Sequence, residues 1–163
     1  MTEKNFIHIF NDELWDHEGR VMNKDGTLHI LYKCPAGFLT FGPGINIDPR
    51  SGNGFPDPIV NVFRDWFRHE QVQKPLENYF GDLWWSWTEA RKVALLDVVW
   101  HLGWPSFSHP KTGFVKTLAA LKNEDYEEAA KELLDSKGYG HNEHAGVRAR
   151  AQKNAERIRT GVL

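Results

Sequence analysis

Residues 88–103 read TEARKVALLDVVWHLG, and the conformation of this stretch decides the architecture. Thr88 has the short hydroxyl of a helix N-cap, and Glu89 places an acid in the first turn, where it meets the positive end of the helix dipole. Val93, Leu95, Leu96, Val98, Val99, Trp100 and Leu102 then fall almost all round the helix. A helix apolar on every side is one that other elements surround, so this segment is predicted to be central and buried. Downstream, apolar periodicity predicts further helices at about 113–121, 124–135 and 143–159, the last stopped by Gly161. Upstream, Asp57 is the expected N-cap and Pro58 the first helical residue of a segment running to about Arg68. Pro75 is expected to break that helix and begin a short one.

Before residue 57 the texture changes. Residues 48–58, DPRSGNGFPDP, are dense in glycine and proline and read as loop. In residues 21–33, VMNKDGTLHILYK, Asn23-Lys24-Asp25-Gly26 separates two short β-type segments and reads as a hairpin. FLTFGPGINI at 38–47 follows as one further strand ending in turns. In the N-terminal stretch, Phe6, Ile7, Ile9, Phe10 and Leu14 recur at spacings of three and four, which predicts an amphipathic helix ending near His17 or Glu18, with Gly19 as its stop. The expected fold class is α+β: a small β-lobe at about 19–56, a larger helical lobe at about 57–163, and the first helix at about 5–18 where they join.

A chain of 163 residues is the size of one domain and buries about two-thirds of its unfolded surface without staples. Its single cysteine, Cys34, excludes an internal disulfide. The N-terminal stretch lacks the apolar core of a signal peptide, and no run approaches the roughly 20 apolar residues of a membrane span. A formal net charge of −2 leaves no electrostatic footprint for nucleic acid. The one local asymmetry is the last helix, where Arg148, Arg150, Lys153, Arg157 and Arg159 accompany Glu156. It reads as a solvated basic face or as a clamp for a carboxylate or an anionic polymer.

Three places could carry chemistry. Glu18 ends the first helix at the lobe junction, where clefts form. Cys34 and Thr40 straddle the bend at Pro35-Ala36-Gly37; a reactive thiol there would need a cation or a histidine to lower its pKa, and otherwise Cys34 is a small buried hydrophobe. His141 and His144, in the sequence HNEH, lie one turn apart but have no third ligand at a recognisable zinc spacing, so no metal is expected.

WDHEGR at 15–20 followed by YKCPAGFLTFGPG at 32–44 resembles the opening of the T-even phage lysozyme family, glycoside hydrolase family 24. Its members show a Glu-Gly pair and then a Tyr-Lys-(Asp or Cys)-x-x-Gly-x-x-Thr-x-Gly-x-Gly hairpin. Here the matching residues are Glu18, Gly19, Tyr32, Lys33, Cys34, Gly37, Thr40, Gly42 and Gly44. Residues 89–103, 112–118 and 126–139, and the ERIRTG ending at Gly161, are similar in order to the family's later helices. The interval between Glu18 and Cys34 is longer than the family's, and the extra residues fall around the Asn23–Gly26 turn.

The resemblance implies a lysozyme-like fold with a cleft between the lobes, and an endolysin that hydrolyses the β-1,4 bond between N-acetylmuramic acid and N-acetylglucosamine in peptidoglycan for host cell lysis. It implies Glu18 as general acid, Cys34 as second catalytic residue, and Thr40 as the hydroxyl beside the attacking water. A glycosidic oxygen leaves poorly unless protonated, hence the acid; an inverting enzyme holds its water between acid and base about 6.5–9.5 Å apart. Arg150 is implied as the support that orients Glu18, and Trp100 and Thr117 as sugar contacts. Asn46 and Glu132 occupy two further sugar-contact positions without matching them well. No cofactor is implied. The expected partner is the glycan strand for a monomer that accumulates in the host cytoplasm and reaches the wall with a holin-type protein. The rival activities are a lytic transglycosylase, which leaves 1,6-anhydro ends, and a non-catalytic wall-binding or virion protein.

Overall fold

The computed structural model describes residues 21–26, 29–42, 45–48, 50, 52 and 54–163. The expected N-terminal helix, Glu18 and Gly19 lie outside the described residues. These residues fall into two compact units that divide after Ile59.

The first unit holds a three-stranded antiparallel sheet in the order β1-β2-β3, with β1 at Tyr32–Lys33, β2 at Leu39–Phe41 and β3 at Ile45–Asn46. Tyr32 pairs with Thr40 and Lys33 with Leu39; on the other edge of β2, Thr40 pairs with Asn46 and Phe41 with Ile45. The single strand expected over 38–47 is therefore two strands, because Gly42, with φ 56°, turns the chain back after Phe41. Ahead of the sheet, the Asn23–Gly26 turn is present. Gly26 N–H donates to the Asn23 carbonyl at 3.0 Å, and an isolated antiparallel bridge joins Met22 to His29.

Helix α1, Asp57–Phe67, begins where Asp57 and Pro58 predict. Pro75 lies in the first turn of a short helix, as expected, but the helical chain before it is not broken. Instead a π-helical segment, Arg68–Gln73, passes directly into α2, Lys74–Phe80. Proline has no N–H and cannot complete an α-helical ladder; the wider π register, in which Lys74 N–H donates to the His69 carbonyl, absorbs the defect without ending the helix.

In the second unit, α3 (Asp82–Ser86) leads to α4, Glu89–Leu102. Thr88 caps it, its Oγ1 accepting from Arg91 N–H at 3.4 Å. Ala90, Ala94, Leu95, Val98 and Val99 are buried, whereas Val93 and Trp100 are exposed. The helix is central but not enclosed on every side. It is followed by α5 (Trp104–Phe107), α6 (Val115–Lys122), α7 (Tyr126–Leu134) and α8 (Ala145–Thr160). Asp125, not Glu124, is the N-cap of α7, its side chain accepting from Glu128 N–H at 3.0 Å. Helices α3 and α5 escaped the sequence reading because a helix of four or five residues is too short to show a period.

The core of this unit gathers Leu76, Leu95, Val98, Val99, Phe107, Leu118, Leu121, Leu133 and Ile158, all 4 % exposed or less. The last helix is pinned to the central one at its C-terminus. Arg91 Nε donates to the Ile158 carbonyl at 2.9 Å, and its guanidinium lies 3.6 Å over the Tyr126 ring. The left-handed Gly161 (φ 71°) ends the helix beside it.

Candidate functional site

The sheet register brings Cys34 and Thr40 together. Paired residues of an antiparallel sheet share a face, and the face repeats every second residue. Tyr32, Thr40 and Asn46 form one row across the three strands. Cys34 N–H donates to the Phe38 carbonyl at 3.0 Å, which extends that pairing by one rung and sets Cys34 on the face of Tyr32 and Thr40. The intervening bend is closed by Gly37, whose N–H donates to the Cys34 carbonyl at 2.7 Å. Its φ of 80° is a conformation that glycine adopts at no steric cost.

This bend changes the thiol. The backbone N–H of Phe38 first and the Thr40 hydroxyl second, then the N–H groups of Ala36 and Gly37, favour the thiolate and hold the Cys34 pKa below the usual thiol range against the opposing effect of burial. The cradle of amides favours the anion as an oxyanion-binding nest does. Thr40 is 2 % exposed and has one hydroxyl proton, which in the structure lies on the Phe38 carbonyl at 3.0 Å. The same rotor can turn that proton to sulfur when Cys34 ionises. Because Cys34 is the only cysteine, its alkylation by iodoacetamide can be followed on the whole protein. The rate should reach its plateau at a lower pH than that of a free cysteine peptide, and Thr40→Val should move the midpoint upward. A midpoint at or above that of the peptide contradicts this account of the bend.

A second element of the site escaped the sequence reading, which passed over residues 48–58 as loop. Asp48 follows β3 and is 7 % exposed. Its carboxylate accepts from Leu39 N–H at 3.1 Å, Arg50 N–H at 3.0 Å, Arg50 Nε at 2.7 Å and Arg50 Nη2 at 2.8 Å. Arg50 Nη2 also donates to the Gly37 carbonyl at 3.1 Å, and its guanidinium lies 5.1 Å over the Phe38 ring. The pair thus clips the chain after β3 to the bend that presents Cys34. The available signal was the Asp-x-Arg spacing beside a strand end. Arg50 first, through its side-chain hydrogen bonds, then the backbone donors hold the Asp48 carboxyl far below the usual carboxylate range. A depressed carboxyl stabilises the fold at pH above its unfolded value near 3.9 and loses that contribution as pH falls through its folded pKa. Arg50→Gln should therefore shift acid unfolding of the sheet, followed by circular dichroism, to higher pH; an unchanged midpoint would remove Asp48 from this role.

The remaining sequence candidates lie on the helical unit. Trp100, on α4, is 44 % exposed and meets Phe67 edge-on at 5.2 Å between ring centroids. Thr117, on α6, is 2 % exposed. It lies in the wall of an open depression of about 430 Å³ that also involves Phe114, Lys116, Glu132, Ser136 and Gly138. Glu132 accepts from Lys116 Nζ at 3.2 Å across this depression. Asn46 belongs to the sheet instead, beside Thr40, with its Oδ1 accepting from Asp48 N–H at 3.0 Å. Arg150 Nη1 lies 3.2 Å from His101 Nδ1, and its Nε lies 3.7 Å from Asp97 Oδ2. Its implied partner Glu18 is outside the described residues.

Three of the five basic residues of the last helix are engaged with other described residues. Arg148 donates to the Asn142 and Glu143 carbonyls, each at 2.8 Å, Arg159 pairs with Glu156 at 2.7 Å, and Arg150 faces Asp97 and His101. His141 and His144 lie near Asp135 and Glu143 respectively. No group of three or more metal-ligating side chains occurs among the described residues, and no described helix is long and apolar enough to cross a membrane. No protein-family model matches the chain, and no curated protein matches it in sequence.

Proposed function

We propose that this protein is a muramidase of lysozyme-like fold that hydrolyses the β-1,4 bond between N-acetylmuramic acid and N-acetylglucosamine in peptidoglycan. The observation that carries the reading is the Cys34–Thr40 arrangement: a thiol biased toward its anion and a hydroxyl on the same face of the sheet. A thiolate accepts a proton, and a hydroxyl with two lone pairs can orient a water beside it. Glu18 supplies the proton to the leaving oxygen, and Cys34 accepts one from the water that Thr40 orients. Arg150 is the supporting cation, and Trp100 and Thr117 are sugar contacts. Trp100 has the exposed aromatic face that stacks on a pyranose, and the T-shaped contact with Phe67 fixes its ring. No cofactor enters this chemistry. Accumulation of a monomer in the host cytoplasm, with a holin-type partner that opens the membrane, belongs to the same reading.

Cys34 variants test it on purified cell walls. The site needs a proton acceptor at position 34 and not sulfur as such, so Cys34→Asp should retain lysis while Cys34→Ser loses at least about tenfold. Full activity in Cys34→Ala would return the cysteine to a packing role and overturn the assignment.

A further inference from the structure

The helical unit contains a chain of polar contacts that packing does not require. Helices α4 and α8 already contribute Leu95, Ala151, Ala155 and Ile158 to one apolar core, all 2 % exposed or less. Among them sits Asn154, 1 % exposed. A buried amide costs stability unless its donors are used, and both are used here. Asn154 Nδ2 donates to Asp97 Oδ2 at 2.6 Å and to the Tyr139 hydroxyl at 2.9 Å. Tyr139 is fully buried, and burial pushes its phenol up to about 12, so it stays neutral throughout the working range. Asp97 is the one anion of the chain of contacts, and Asn154 fixes the oxygen that faces Arg150.

Arg150 sits one turn before Asn154 on the same helix face. Its Nε edge lies against Asp97 Oδ2 at 3.7 Å, and its Nη1 lies 3.2 Å from His101 Nδ1. A guanidinium only donates, so in this contact Nδ1 of His101 is the acceptor. The guanidinium therefore meets His101 at hydrogen-bond distance and Asp97 as a longer ionic contact. Its Nη2 makes no hydrogen bond to the described residues, and the side chain is 46 % exposed. A planar fork so held offers a pre-aimed donor to a carboxylate.

We propose that Asp97, backed by Asn154 and Tyr139, is a positioning residue that aims Arg150 at a carboxylate. Its catalytic consequence rests on the muramidase reading; its structural part does not.

The test is a double-mutant cycle on the full chain with two readouts. The first is the Arg150 Nε–H signal in nitrogen-15 spectra of the whole protein, assigned by its loss in Arg150→Lys. Asp97→Ala and Asn154→Leu should each make its hydrogen exchange at least about tenfold faster, as expected when a held guanidinium is released to solvent. The milder Asp97→Asn, which keeps a hydrogen-bond acceptor, should restore part of the protection. The second readout is the rate of muropeptide release. Asp97→Ala should lower kcat about tenfold with little change in KM in the natural background, and should have no further effect in Arg150→Ala. Unchanged exchange at Arg150 Nε–H in both Asp97→Ala and Asn154→Leu overturns the proposal. So does an equal loss of kcat from Asp97→Ala in both backgrounds, because Asp97 would then act independently of Arg150. If the natural protein releases no muropeptides, the muramidase reading fails, and the exchange measurement still decides the role of Asp97.

Discussion

Glu18→Gln is expected to reduce wall lysis by about 10²–10⁴-fold, the range that a positioned general acid contributes. The glycosidic oxygen cannot depart as an alkoxide at a useful rate, so the proton must arrive as the bond breaks. Glutamine keeps the length and hydrogen-bonding capacity of glutamate but has no acidic proton to give. The loss should fall on kcat, with the thermal midpoint little changed, since glutamine is nearly isosteric with glutamate. Lysis assays paired with thermal melts check this. Near-normal lysis by Glu18→Gln removes Glu18 from the reaction and with it the reading of the site.

The largest effect on stability is expected at Leu95. It is completely buried on α4, the helix around which the second unit's core gathers. Leu95→Ala removes three carbon atoms and leaves a cavity that helices anchored at several points cannot collapse to fill. A cost of about 2–5 kcal/mol follows, or a fall in thermal midpoint of roughly 4–20 °C for a chain of this size. Trp100→Ala on the same helix provides the contrast. Its ring is partly in solvent and rests on Phe67 by an edge contact, so its loss should cost clearly less stability than Leu95→Ala while weakening binding of glycan fragments. A Trp100 variant as unstable as the Leu95 variant, with unchanged affinity, would make Trp100 a packing residue.

How far the sequence could be read follows from the range of the interactions involved. The central helix was legible because its signals are local: a hydroxyl cap at Thr88 and an apolar run long enough to show its character. The basic last helix was equally legible, and so was its end at Gly161. Pro75 marked the start of a short helix correctly but not its continuity with the helix before it, since the rule that proline ends helices assumes an α register and the chain uses a π segment at Arg68–Gln73. The Gly42 reversal was underread because one short β-rich run of residues does not reveal whether it is one strand or two. Of the candidate site, Cys34 and Thr40 were visible as residue types; their common face depends on the register of β1 against β2, a pairing that spacing alone does not fix. Asp48 and Arg50 were hidden by an apparent loop. Asp97, Asn154 and Tyr139 lie on three separate segments, and only tertiary packing joins them.

Mass spectrometry of the soluble fragments that the protein releases from purified peptidoglycan decides whether it hydrolyses the muramic acid linkage. Hydrolysis adds one water across the bond, so the account predicts muropeptides ending in a reducing N-acetylmuramic acid. Fragments ending instead in 1,6-anhydro-N-acetylmuramic acid, one water lighter, would identify a lytic transglycosylase and contradict it.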